Sequence, residues 1–266
     1  MKLRVMQWNI SWKRRLDDVA QFITEKKGNG PTIVCLEEVQ FMSTYHRLVR
    51  SLEPTDSRFS LYLREAGKNE GKGRQLGVAV FAFGQSITSF ELPERTVFPE
   101  RTLSVLLDGD LGPIRVVAFH SLAGVNFGQV KSSNFAAIAD YLQLHRSELD
   151  FLCFDANEPN RDGMKVDEIV FSPRGKAMAL IMGREKVHDL SDSYVEYLRA
   201  IGTEVTDQPL AVSYTKGALG QRQTERRYDY IMHSPRWRVT SCEYPYEDSI
   251  RANSDHSAVV ADFELW

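Results

Sequence analysis

Short apolar runs of strand length recur through the chain, and several of them stop at a carboxylate, an amide or an imidazole. The runs are Leu3 to Ile10, Thr32 to Leu36, Phe59 to Leu63, Leu76 to Phe83, Leu103 to Leu107, Ile114 to Phe119, Phe151 to Phe154, Tyr228 to Met232, Arg238 to Cys242 and Ala258 to Phe263. Near-continuous apolar runs bounded by turn residues read as strands of buried sheets. A polar group where such a strand ends is well placed to meet others from separate elements in a cleft.

Helical periodicity fills the gaps. Leu16, Val19, Ala20 and Ile23 recur at helical spacing before Gly28, and Phe41, Tyr45, Leu48, Val49 and Leu52 do the same. A longer helix is expected over Gln129 to Glu148, with Phe135, Ile138, Ala139, Leu142 and His145 on one side. Asp108 to Pro113 is a hairpin loop between two runs. Glu158 to Gly217 is less regular, with a helix at Tyr194 to Ile201, and reads as a surface excursion that sets substrate specificity. With no repeat or flexible linker, and with late strands that complete the early sheets, residues 1–266 read as one α/β domain.

Composition narrows the function classes. Hydrophobic residues make up 42% and charged residues 26%, the balance of a folded domain with a sizeable core. With 33 Lys and Arg against 36 Asp and Glu, the formal net charge is −3, so any site for a polyanion is local. Val78 to Phe83 is far shorter than the ~20 residues of a membrane-spanning helix, and the first residues lack the apolar core of a signal peptide. The chain reads as soluble, without a membrane partner, and cytoplasmic. Cys35, Cys153 and Cys242 sit beside apolar residues without metal-type spacing, as buried reduced thiols do.

The polar strand ends are Trp8-Asn9, Leu36-Glu37-Glu38, Phe119-His120, Phe154-Asp155-Ala156-Asn157, Tyr228-Asp229-Tyr230 and Ser254-Asp255-His256. Each alone has a structural reading. Asn9 or Asn157 suits a turn, Glu37 and Glu38 suit the start of the next helix, His120 suits a satisfied core, and Asp229 suits a buried acceptor. Together they would be costly beside one core without a shared use. Glu38, Asp155, Asn157 and Asp255 are the hard oxygen donors that suit Mg²⁺, with Mn²⁺ a second choice. Phosphate-ester hydrolysis needs a cation, a base and charge stabilisation at phosphate. Asp155 suits the base, a protonated His256 or His120 suits the phosphate, and Asp229 suits the orientation of an imidazole.

In order and spacing these segments resemble the endonuclease/exonuclease/phosphatase superfamily over nearly the whole chain. Gln7-Trp8-Asn9 resembles its opening motif, Cys35-Leu36-Glu37-Glu38-Val39 its metal-binding segment, and Gly77-Val78-Ala79-Val80 its next strand. Val117-Ala118-Phe119-His120-Ser121-Leu122 resembles its histidine strand, Phe154-Asp155-Ala156-Asn157 its Asp-x-Asn motif, and Arg227-Tyr228-Asp229-Tyr230-Ile231 the motif with its histidine-orienting Asp. Ser254-Asp255-His256 resembles its closing signature. The resemblance implies a four-layer αββα sandwich of two mixed sheets flanked by helices, with the site between the sheets' upper edges. By likeness, Glu38 is the principal metal ligand, supported by Asn9 and Asp255. Asp155 orients or deprotonates water and Asn157 contacts phosphate. His256 paired with Asp229 stabilises the transition state, and His120 assists the phosphate or leaving oxygen.

Two departures refine the likeness. Ser11 and His120-Ser121-Leu122-Ala123 stand where exonuclease III-like abasic-site enzymes carry an Asp and a Tyr-x-Pro-Asn segment, which disfavours that branch and fits the histidine-containing ones. Phe154 replaces the usual Gly before Asp155.

Local charge bears on the substrate. Lys216 to Arg238 holds six basic residues, Lys216, Arg222, Arg226, Arg227, Arg236 and Arg238, against Glu225 and Asp229. Lys13, Arg14, Arg15, Arg64, Lys68, Lys72 and Arg74 add further phosphate contacts, Tyr214, Tyr228 and Tyr230 can stack on bases, and Arg101 lies where related nucleases place a phosphate-binding Arg. The expectation is therefore a metal-dependent nuclease acting on DNA or RNA, with Arg101, Arg226 and Arg227 on the substrate. A phosphatase or phosphodiesterase on a phospholipid, inositol phosphate or small nucleotide is the alternative, and a catalytically silent binding module is a third reading.

Overall fold

The computed structural model describes residues 2–12, 15–40, 42–63, 75–93, 95–216 and 223–266. Phe41, Lys13, Arg14, Arg64, Lys68, Lys72, Arg74 and Arg222 lie outside the described residues. In chain order the elements are β1 (Lys2–Asn9), α1 (Leu16–Lys26), β2 (Thr32–Gln40), α2 (Met42–Leu52), β3 (Asp56–Phe59), β4 (Leu76–Phe83), β5 (Ser86–Glu91), β6 (Thr102–Asp108) and β7 (Ile114–His120). They continue with α3 (Gly124–Phe127), α4 (Val130–Leu144), β8 (Leu149–Asp155), α5 (Ala179–Met182), β9 (Ser191–Asp192), α6 (Ser193–Ala200), β10 (Tyr214–Lys216), β11 (Thr224–Arg226), β12 (Asp229–His233), β13 (Trp237–Glu243), α7 (Tyr246–Arg251) and β14 (Val259–Leu265).

Two mixed six-stranded sheets result, in the orders β13-β14-β1-β2-β4-β3 and β5-β6-β7-β8-β12-β9, with β10 and β11 as a separate ribbon. Their facing sides interlock through Val5, Cys35, Val80, Val105, Val116, Cys153 and Ile231. The outer side of the first sheet packs Met6, Trp8, Val34, Leu36 and Phe81 against Val19, Ile23, Tyr45 and Leu48 of α1 and α2. The outer side of the second packs Val117, Phe119, Leu152 and Phe154 under Phe135, Ile138 and Leu142 of α4. This is the expected helix-sheet-sheet-helix sandwich, and period-2 alternation in each strand supplies both of its faces. Burying one such large apolar side chain contributes ~1.5–3 kcal/mol, and Phe119 stacks on Phe154 with ring centroids 4.7 Å apart.

The middle of each sheet holds one parallel pair, β1 with β2 and β7 with β8, so the carboxyl ends of four strands reach the same edge of the sandwich. Register sets Asn9 beside Glu37, His120 beside Asp155, and Asp155 opposite Asp229. Clefts outside the carboxyl ends of strands are where α/β sheets bind ligands.

Two expectations change. The run Phe59 to Leu63 is only the end of β3 followed by a helical turn at Ser60–Tyr62. Glu37 and Glu38 do not open a helix: β2 runs through them to Gln40, and α2 begins at Met42. A bulge makes this possible, because the register with β4 slips between Leu36 and Val39. Leu36 and Val39 both face the helix layer, and the two acids between them turn toward the facing sheet. Glu38 adopts φ 56°, the kind of local re-aiming that bulges supply near sites.

Candidate active site

A cleft of about 880 Å³ opens at the shared edge, lined by Asn9, Glu38, Arg101, His120, Asp155, Asn157 and His256 together with Trp12, Gln40, Gln75, Leu76, Ala123, Asn126 and Phe127. Of the expected site residues, Asn9, Glu38, Arg101, His120, Asp155, Asn157 and His256 converge here.

Asp155 is the hub. Its Oδ2 accepts from Asn9 Nδ2 at 3.0 Å and from Asn157 Nδ2 at 3.1 Å, and its Oδ1 accepts from Asn157 N at 2.8 Å. The last contact closes a tight Asx turn, which explains the Asp-x-Asn spacing. Burial pushes the Asp155 carboxyl up to about 7, and neighbouring Asp229 adds to the shift while His256 opposes it. Asn9 is fixed in turn by Ser11 N, which donates to its Oδ1 at 2.9 Å, and by Ser254 Oγ, which donates to its carbonyl at 2.6 Å.

His256 and Asp229 form a buried dyad, with Nδ1 2.8 Å from Asp229 Oδ2 and Nε2 4.0 Å from Asp155 Oδ2. Burial works against charge on His256, but Asp229 and Asp155 outweigh it and carry the imidazole up to about 10. His256 is therefore an imidazolium at neutral pH. His120 is the opposite case: burial, and then the charges of Arg101, His256 and Lys131, hold its pKa well below the ordinary range. The expectation that His120 could serve protonated is corrected on that ground. Arg101 Nη1 lies 3.3 Å from His120 Nδ1, and a guanidinium only donates, so Nδ1 accepts and Nε2 keeps the proton. That Nε2–H faces Glu38 Oε1 and Asp155 Oδ2, each 3.6 Å away.

Ligand atoms of Asp155, Asp229 and His256 lie within 4.8 Å of one another. His256 Nδ1 is already taken by Asp229 at 2.8 Å, and of the two carboxylates that line the cleft Glu38 is the less buried, its side chain 18% exposed against 0% for Asp155. Burial raises the Glu38 carboxyl, His256 lowers it and Asp255 raises it. Asp255 is exposed and does not line the cleft. Glu38 offers a hard carboxylate oxygen of the kind that divalent cations take.

Other expected residues lie elsewhere. Arg227 is buried and spends its guanidinium on Asp162 at 2.7 and 2.9 Å and on Asp192 at 2.7 and 3.2 Å, with Tyr230 beneath it. It faces the interior, not a substrate, because two carboxylates make its burial favourable. Arg226, on β11, donates to the carbonyl of Glu225 and does not line the cleft. Tyr230 is fully buried and donates to the Arg227 carbonyl, while Tyr214 stacks on Tyr228 and lies against His256. Among the described residues from Glu158 to Lys216 none lines this cleft, although Tyr214 lies against its His256, and Arg161, Lys165 and Arg199 line a separate cleft of about 510 Å³.

Three residues without an expected role support the site. Gln7 Nε2 donates to Asp229 Oδ1 at 3.0 Å and to Glu37 Oε2 at 2.8 Å. Its strand parity with Asn9 was the available signal. Glu37 is fully buried, and its carboxyl is raised well above the ordinary range by burial and by Asp229. Lys131, buried on α4, donates to the Asn157 carbonyl and to Glu158, both at 2.8 Å. No local pattern in the sequence marks it.

No protein-family model and no curated protein matches this sequence. Solved structures do. The catalytic domain of human Nocturnin with bound sulfate superposes with a TM-score of 0.65 at 18% identity, covering 100% of this chain and 94% of that one. A Bacteroides vulgatus endonuclease/exonuclease/phosphatase gives 0.66 at 17% identity, with 100% of both chains covered. The chain has the endonuclease/exonuclease/phosphatase fold. A humanized D. rerio TDP2 shares that fold at a TM-score of 0.67 and 11% identity over 99% of each chain. The endonuclease/exonuclease/phosphatase likeness is thus one of architecture, spread along the full length of the chain.

Proposed function

We propose that this chain is a divalent-metal-dependent phosphodiesterase, and specifically a nuclease hydrolysing DNA or RNA by in-line attack of water. The observation that carries the reading is the meeting of Asp155, the His256–Asp229 dyad, His120, Asn157 and Glu38 in one cleft. A structure of D. rerio TDP2 complexed with single strand DNA product, similar to this chain at a TM-score of 0.65 and 11% identity, supports nucleic acid as the substrate class. The reading treats residues 1–266 as a single such domain, with β1 and β14 paired in one sheet. Its three buried free cysteines fit a reducing, cytoplasmic compartment, and among the described residues no helix is long and apolar enough to cross a membrane.

Each group has a task. Glu38 would hold Mg²⁺ or Mn²⁺, aided by Asn9 and by the charge of Asp255, and the bound ion would neutralise charge on the phosphate. Asp155, with a pKa of about 7, takes a proton from the attacking water at neutral pH. Asn9 and Asn157 fix its oxygens. The His256 imidazolium faces the developing negative charge, and Asp229 keeps it charged and oriented. Neutral His120 offers Nε2–H toward a phosphate or leaving oxygen, and Arg101 behind it adds positive potential.

The test is cleavage of end-labelled single- and double-stranded DNA and RNA with Mg²⁺, Mn²⁺ or EDTA, beside His256→Ala. Metal-dependent cleavage lost in the variant is expected. Intact nucleic acid with turnover of an inositol phosphate, phospholipid or small nucleotide would move the reading to the alternative substrates, and no turnover of any phosphoester would overturn it.

A further inference from the structure

The cleft is chemically two-sided. Arg101, just before β6, His120 at the end of β7 and Asn126 and Phe127 on α3 make one set of lining residues; Trp12 just after β1, Gln40 at the end of β2 and Gln75 and Leu76 at the start of β4 make the other. Nothing in the hydrolytic chemistry requires that second set.

Trp12 is its most unusual member. It follows Asn9 by three residues and is 47% exposed, whereas Trp8 and Trp237 are buried. The turn that presents it runs through two consecutive left-handed residues, Ser11 at φ 53° and Trp12 at φ 33°. Non-glycine residues there are strained, bulky ones most of all, and a surface turn that keeps a Trp in that conformation has a reason to aim it. Asn9 Oδ1 holds the turn by accepting from Ser11 N, so the residue that orients Asp155 also anchors Trp12. Gln40 lies two residues beyond Glu38 on β2, ~7 Å along the strand, and Gln75 and Leu76 enter from the neighbouring β4 edge.

An exposed indole face, an apolar side chain and two primary amides beside a phosphate-chemistry centre form the complement of a nucleobase. Aromatic faces stack any base, and amides pair with its polar edge. We propose that Trp12, Gln40, Gln75 and Leu76 form a nucleobase subsite that holds one unpaired base of the substrate on Trp12 while its phosphate lies over Glu38 and Asp155. This rests on the proposed phosphodiesterase function and narrows its substrate to one with a free base next to the scissile phosphate: a single strand, a frayed end or a nucleotide. A paired base inside a duplex cannot present its face to Trp12.

The test is binding without turnover. Adenosine 5′-monophosphate and ribose 5-phosphate are titrated into the protein by calorimetry with and without Mg²⁺, and Trp emission is followed in parallel in a Trp266→Phe background. The expected result is about tenfold tighter binding of the nucleotide than of the sugar phosphate, within the range stacking supplies, with quenching that is absent in Trp12→Ala. In Trp12→Ala the tenfold ratio collapses toward one, and in Trp12→Phe it is largely restored. An unchanged ratio in Trp12→Ala, or no preference for the nucleotide in the unaltered protein, overturns the subsite. Nucleotide binding that depends on Trp12 in a protein that hydrolyses no phosphodiester would sink the enzymatic reading and leave the subsite standing; hydrolysis without base preference would do the reverse.

Discussion

His256 Nδ1 sits 2.8 Å from Asp229 Oδ2 in a buried setting, while His256 Nε2 is left facing Asp155 and the cleft. One nitrogen is engaged by structure and the other is free for chemistry, which is how a carboxylate makes a histidine directional.

Replacing Asp229 by Asn keeps the shape and removes the charge that raises His256. Turnover is expected to fall by about 10²- to 10⁴-fold, the range for loss of a positioned proton-handling group. The alkaline limb of the pH profile should move toward neutrality. Measured kcat across pH for Asp229→Asn checks both, and an unchanged alkaline limb would remove Asp229 from the role given to it.

The pH dependence of the unaltered enzyme follows from two groups. Asp155 must be ionised to accept a proton, so activity rises as pH passes about 7. His256 must be charged, so activity falls as pH passes about 10. Those values belong to the metal-free site; a bound cation favours the ionised carboxylate, so the bell expected in kcat/KM under saturating metal has its acid limb shifted below the first of them, and Asp155→Asn should abolish activity across the range.

Glu37 makes an opposite prediction for stability. Its carboxyl is raised in the folded protein by burial and by Asp229. Stability from the neutral form is complete below the unfolded value of ~4.3 and is lost as pH climbs toward the folded value. Glu37→Gln, which mimics the neutral acid beside Gln7, should therefore raise Tm at pH 8 by about 2 °C or more, with a smaller gain at pH 5. A lower Tm at pH 8 would show that the ionised form is the stable one.

Arg227 should behave as a structural cation. Arg227→Ala leaves Asp162 and Asp192 facing each other without their shared partner and is expected to cost ~3–5 kcal/mol of stability. Chemical denaturation measures this. A variant with unaltered stability and a raised KM would return Arg227 to the substrate.

Much of this was legible in the order of residues. The near-continuous apolar runs of β1, β8 and β12 and the helical spacing in α1, α2 and α4 foretold sheet strands buried under helices, because a strand covered on both faces has no side free for polar residues and a helix on a sheet has one. Strand-end polar residues foretold Asn9, Glu38, His120, Asp155, Asn157 and His256 as cleft residues. The two-residue excursion of Glu37 and Glu38 was not legible, since a bulge is a property of the pairing with β4 and not of β2 alone.

What the sequence by itself determined was the parts: the long central strands though not β5 or the short β9, β10 and β11, which ends carry carboxylates and imidazoles, and which residue types suit a hard cation. What only the tertiary structure decided was their state. His120 and His256 are the same residue type at similar strand ends, yet one is held neutral by Arg101 and burial and the other is held charged by Asp229 and Asp155. Arg101 and Arg227 are likewise indistinguishable in charge, but one lines the cleft and the other is enclosed by Asp162 and Asp192. Charge state and orientation depend on distance and burial among groups far apart in the chain, and those quantities exist only once the two sheets have packed.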